Sequence, residues 1–246
     1  MARPTVEASP QAYARIGGVL YLIIIVAGVL GEIFIRGRII VSGDAMATAN
    51  NIMASQSLWR LGIAGDLIMH VCDVPLMLIF YVLLRPVNRN LALLAVLFNL
   101  IQTAVMVANE ILLLVPLFLL GGADYLKSVE PHQLQALAYV SIKANDYGFG
   151  VGLIFFGFEC LVLGYLIFRS GFLPRILGIL MPIAGLSYLT NSFALLLAPA
   201  FAARLFPWIL LPAFIAEASV CLWLLVKGVN VARWEEICPG DAYRPQ

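Results

Sequence analysis

The chain has 246 residues, 62% of them hydrophobic and 12% charged, with a formal net charge of +1. A soluble domain is about half apolar and a quarter charged, so an ordinary water-soluble globular fold is excluded. The near-neutral charge, with no basic stripe interleaved with aromatics, also argues against a nucleic-acid partner.

What remains is an all-α membrane protein whose first partner is the lipid bilayer. Residues 1–12 read as a short polar tail. Six segments then reach the roughly 20 apolar residues that cross a bilayer, at about 16–36, 60–84, 91–121, 146–169, 175–198 and 206–227. They place a single six-helix transmembrane domain over residues 13–228. The first run, GGVLYLIIIVAGVLGEIFI, is longer than a signal h-region and lacks an A-x-A-like site, so it reads as a retained span.

Between the first two spans, GDAMATANNIMASQSLWR has the pattern of an amphipathic helix on the outer surface. Asp44 or Thr48 is positioned to cap it, and Trp59 is expected at the headgroup level. Before the fourth span, SVEPHQLQALAYVSIKANDYGFG turns helical after Pro131 and predicts an extension running straight into that span. Residues 229–246 form a polar tail, and its stretch WEEICPGDAYRPQ reads as loosely ordered.

Charge bias orients the bundle. With the N-terminus inside, the inner face collects Arg3, Arg15, Arg85, Arg89, Arg169, Arg175, Lys227, Arg233 and Arg244. The outer face collects Arg36, Arg38, Arg60, Lys127, Lys143 and Arg204. Both termini are therefore expected in the cytoplasm. Cys72, Cys160, Cys221 and Cys238 lack metal-finger spacing and read as free thiols.

The segment DLIMHVCDVPL, residues 66–76, puts ionisable groups into an apolar span. At about 100° per residue, His70 lies about 40° from Asp66 and Asp73 about 20° to the other side, so the three share one stripe. Pro75 frees the carbonyl of Val71 beside them. Other spans add Glu32, Asn99, Gln102, Asn109, Glu110, Glu159, Ser187, Tyr188, Asn191 and Glu217. By helical rise, His70, Asp73, Glu159, Ser187 and Glu217 fall near the midplane, and Glu32, Asp66, Asn109, Glu110 and Asn191 in the outer half. Only Asn99 and Gln102 fall in the inner half.

An acid at the bilayer midplane costs about 2.5–3.5 kcal/mol if it faces lipid, so these groups are expected to face inward. Glu32, four residues before Arg36, has the spacing of an interfacial ion pair. Asp66 is turned away from Arg60, six residues earlier, and its partner is expected from another helix. The glycines 148, 150, 152, 157, 178 and 185 read as close helix contacts rather than ligand loops.

The stretches FYVLLRPVNRNLALLAVL and GYLIFRSGFLPRILGIL echo one another, aligning Tyr81 and Arg85 with Tyr165 and Arg169. Convergence explains this more simply than duplication, because Tyr followed by Arg is common at cytoplasmic helix ends. GDL at 65–67, LLRPVNRNLALLA at 83–95 and GYLIFRSGFLPRILGILMPIAGLSYL at 164–189 carry a resemblance to a bacterial membrane-protein family. That family is catalogued as domain of unknown function four-three-eight-six. The resemblance covers about residues 12–228 and implies a six-helix protein of the bacterial cytoplasmic membrane. It implies no activity and no catalytic residue.

The residues themselves predict an outward-opening acidic pocket built from Asp66, His70, Asp73, Asn109, Glu110, Glu159, Glu217, Glu32 and Asn191. The favoured expectation is binding or transport of a small solute or cation. A second is an intramembrane hydrolase of lipid using a divalent metal on Asp66, His70, Asp73 and Glu159. A third is a non-enzymatic scaffold whose buried polar groups specify helix pairing. The familiar enzyme signatures, such as a Walker loop, G-x-S-x-G or H-E-x-x-H, are absent, so enzyme status stays open.

Overall fold

The chain folds as an all-helical bundle in the computed structural model, which describes residues 9–238. Residues 1–8 and 239–246, with the polar segments expected there, lie outside the described residues. Among the described residues there is no strand. Six helices are long and apolar enough to cross a membrane: Pro10–Ile39, Gln56–Leu84, Arg89–Leu120, Pro131–Ser170, Arg175–Leu197 and Trp208–Val226. Their outer faces carry exposed apolar residues such as Ile16, Val71, Leu100, Ile176 and Leu222, which suit contact with lipid tails.

The first span starts at Pro10, whose fixed φ suits a first helical position. Ser9 caps it by accepting from the Ala12 amide. Its α-helix passes into a π-helical stretch, Leu30–Arg36, that carries both Glu32 and Arg36. The expected surface helix runs over Ala45–Ala54, with Asp44 as its cap accepting from the Ala47 amide at 2.8 Å. Thr48 instead donates to the Asp44 carbonyl and accepts from the Val41 amide.

Trp59 corrects the expectation made for it. It is buried, with Nε1 donating to the Leu113 carbonyl at 2.7 Å. A carbonyl three residues before Pro116, inside the third span, thus gains a donor within the protein. The extension before the fourth span is continuous with it as one 40-residue helix. The tail is also more ordered than its composition indicates: Val231–Ile237 is helical, and buried Trp234 donates to the Leu83 carbonyl at 3.0 Å.

The fourth and fifth spans form the closest pair because glycine lets their backbones meet. A Cβ on Gly178 would stand 2.4 Å from the Phe168 amide nitrogen, and one on Gly185 would stand 2.5 Å from the Gly157 carbonyl oxygen. Gly164, which the sequence reading did not single out, faces the Pro182 ring in the same seam.

Two apolar cores result. The larger gathers Tyr21, Leu76, Phe80, Leu163, Met181, Val220 and Trp234. The smaller gathers Ile35, Ile52, Trp59, Ile63, Leu113 and Ile142. On the second span, Ile63 belongs to one core and Leu76 to the other, and Asp66, His70 and Asp73 lie between them. The polar residues form a layer separating the two cores.

Candidate functional site

The stripe on the second span divides into two sets of contacts. At its first position, Asp66 is 2% exposed and takes a two-pronged ion pair from Arg36 of the first span. The Arg36 Nη1–Asp66 Oδ2 distance is 2.5 Å, and Nη2–Oδ1 is 3.3 Å. Arg36 Nε also holds exposed Glu32 at 2.8 Å. Gly31 makes room for this: a Cβ there would stand 3.0 Å from Asp66 Oδ1 and 3.2 Å from Arg36 Nη2. Both sequence expectations are met, the local Glu32–Arg36 pair and a cross-helix partner for Asp66.

One turn further, buried His70 places Nε2 4.0 Å from Glu110 Oε1. Glu110 sits where the helix of the third span is interrupted, between Arg89–Asn109 and Ile111–Leu120. Its Oε2 is buried without a hydrogen-bond partner. Neighbouring Asn109 makes a reciprocal pair with Asn145 of the fourth span. Asn109 Nδ2 donates to the Asn145 carbonyl at 2.9 Å, and Asn145 Nδ2 donates to the Asn109 carbonyl at 3.0 Å. Gly148 admits this pair, since any Cβ there would overlap the Asn109 amide.

The third position belongs to a different set. Asp73 Oδ2 accepts from Thr103 Oγ1 at 2.8 Å and from Asn99 Nδ2 at 3.1 Å. Asp73, Glu159 and Glu217 line one cavity of about 40 Å³, together with Tyr21, Phe156, Met181 and several aliphatic side chains. Glu159 is 3% exposed and its Oε2 has no hydrogen-bond partner. Glu217 accepts from the Tyr188 hydroxyl, and Tyr188 packs its ring 5.1 Å from that of Phe156.

The pocket expected as one site is therefore two neighbouring groups. Glu32, Asp66, His70, Asn109 and Glu110 lie towards the smaller core, and Asp73, Glu159 and Glu217 line the cavity. Asn191 is half-buried three residues past Tyr188, outside the contacts of both groups. The metal set Asp66, His70, Asp73 and Glu159 is not assembled. Among the described residues, no three His, Cys, Asp or Glu side chains converge on a metal position. The reason is geometric: Asp66 is turned onto Arg36 and Asp73 onto the third span.

Four residues around the cavity group lie outside the site expected from the sequence: Asn99, Thr103, Tyr21 and Tyr188. Asn99, which helical rise places in the inner half, bonds Asp73. Thr103 bonds Asp73, Tyr21 lines the cavity and Tyr188 bonds Glu217. The i, i+4 spacing of Asn99 and Thr103, on a helix beside Asp73, is the signal that finds the first two.

These observations define a six-helix, multi-pass membrane protein with a polar layer inside. The chain belongs to the family described as a domain of unknown function (DUF4386), which it matches over residues 16–228. It is 29% identical over 166 residues to an uncharacterized protein of Archaeoglobus fulgidus, an alignment covering 68% of this chain and 83% of that one. No solved structure matches it.

Proposed function

We propose that this protein binds, and carries across a cytoplasmic membrane of the bacterial type, a small charged species that occupies its polar layer. The observation behind this reading is the cavity where Asp73, Glu159 and Glu217 meet from three different spans. Intramembrane carboxylates are costly in lipid and mark ion or substrate pathways. The Arg36–Asp66 and His70–Glu110 contacts continue the polar layer away from that cavity, along the second span. In the orientation given by the positive-inside bias, this continuation runs towards the outside.

The test is uptake into proteoliposomes of protons and of small inorganic cations, read by a trapped pH-sensitive or cation-sensitive dye. Asp73→Asn is expected to abolish uptake. Full uptake in that variant overturns the reading.

A scaffold role has one observation in its favour: Arg36–Asp66 and Tyr188–Glu217 each tie two helices together. If that is their whole purpose, Asp73→Asn lowers stability, and no solute or cation shifts the melting temperature.

A further inference from the structure

The cavity at the centre of the bundle is too small for an organic ligand. Its volume of about 40 Å³ lies far below the ~300–1,000 Å³ of small-molecule pockets. On this measure a water needs about 10–15 Å³, so the cavity has room for about three or four. Its polar lining comes from Tyr21, Asp73, Glu159 and Glu217, and no Lys, Arg or His is among its lining residues.

Each carboxyl group stands in a different state of satisfaction. Asp73 Oδ2 receives two donors, from Thr103 and Asn99. Glu217 receives the Tyr188 hydroxyl. Glu159, nearly fully buried, keeps Oε2 unpartnered. A buried, unpartnered carboxylate oxygen is expensive unless water or a proton satisfies it. The three acids do not converge as metal ligands among the described residues, yet they share a void of water size.

We propose that this cavity is a hydrated proton-binding site in which Glu159 takes up and releases the proton. The inference rests on reading the polar layer as a binding site and names its occupant. In the transfer step, the O–H bond of the Glu159 carboxyl breaks and its proton joins a cavity water, giving a carboxylate and hydronium. The hydronium then passes one proton to the Glu217 or Asp73 carboxylate and returns to water. One proton moves and no other bond changes. The titratable groups facing Glu159 are Tyr21 from the first span, Asp73 from the second and Glu217 from the sixth, with Cys160 beside it on the fourth; Tyr188 of the fifth span reaches Glu217 instead. The third span supplies Asn99 and Thr103, which do not titrate.

Infrared difference spectroscopy of the full chain in lipid vesicles tests this. Between about pH 5 and about pH 9, wild type is expected to show a protonated-carboxyl C=O band that titrates. The band is lost in Glu159→Gln, shifted in Glu159→Asp and kept in Asp124→Asn, which changes an exposed acid between the third and fourth spans. Exchanging choline for sodium at constant ionic strength leaves it in place. A band that survives in Glu159→Gln, the absence of any titrating band, or displacement of the band by sodium each overturns the proposal, the last in favour of a metal cation. Failure of uptake with the Glu159 band present refutes transport and leaves the proton site standing. Uptake with no titrating band does the reverse.

Discussion

Arg36 and Asp66, thirty residues apart, meet side by side through two nitrogen–oxygen contacts at 2.5 and 3.3 Å between the first and second spans. Asp66 is almost wholly buried and Arg36 is largely so, whereas Glu32, the second acid on Arg36, is open to its surroundings. The same guanidinium therefore makes one buried pair and one exposed pair.

These two pairs differ in what they contribute. Removing Arg36 by Arg36→Met leaves the Asp66 charge buried without its partner, a loss of about 3–5 kcal/mol. Glu32→Gln removes an exposed pair and changes stability by about 1 kcal/mol or less. Thermal or denaturant unfolding in detergent is expected to rank the variants in that order. Equal losses would mean that the cross-helix pair adds nothing beyond the local one.

Glycine substitutions separate contact from open space. Gly178→Ala pushes a methyl group into the Phe168 backbone, where no side-chain rotation relieves it. Gly65→Ala, with nothing within 4 Å, meets no obstacle. The first is expected to lower stability by about 3 kcal/mol, in the upper range for overpacking. The second should leave the elution profile and melting temperature near wild type. Fluorescence-detected size-exclusion chromatography after heating reads both.

Trp234 anchors the last described helix under the bundle. Trp234→Ala is expected to cost about 3–5 kcal/mol through the cavity it leaves. Trp234→Phe keeps most of the packing and loses the bond to the Leu83 carbonyl, about 1 kcal/mol. Limited proteolysis after residue 226 should accelerate strongly in the first variant and little in the second.

Tyr188→Phe removes the hydroxyl that Glu217 accepts from. A buried acceptor stripped of its donor loses about 1–3 kcal/mol. In the double variant Tyr188→Phe with Glu217→Gln, the two losses are expected not to add, because one contact is counted twice. Additive losses in a double-mutant cycle would show that the pair does not interact.

Cys238 reports orientation. Cys160 and Cys221 are buried, while Cys72 and Cys238 are partly open. If both termini are cytoplasmic, a membrane-impermeant thiol reagent labels Cys238 in inside-out vesicles and leaves it unlabelled in right-side-out ones. The opposite pattern reverses the orientation derived from charge bias.

The six spans and the inward placement of the acids other than Glu32, which is exposed, were legible in the sequence because they follow from local quantities; the family was legible through the resemblance carried by stretches such as RSGFLPRILG. Apolar length decides what can cross a bilayer, and the 100° step of the helix puts Asp66, His70 and Asp73 on one stripe. The Glu32–Arg36 spacing and the glycine seam were readable for the same reason. Which acids meet was not, because it depends on helix rotation and on long-range partners. Only the tertiary structure turned Asp66 to Arg36 and Asp73 to Asn99 and Thr103, dividing one expected pocket into an ion-paired group and a central cavity. It also drew Trp59 and Trp234 inward, since their indole nitrogens found backbone carbonyls at Leu113 and Leu83 that no local pattern points to.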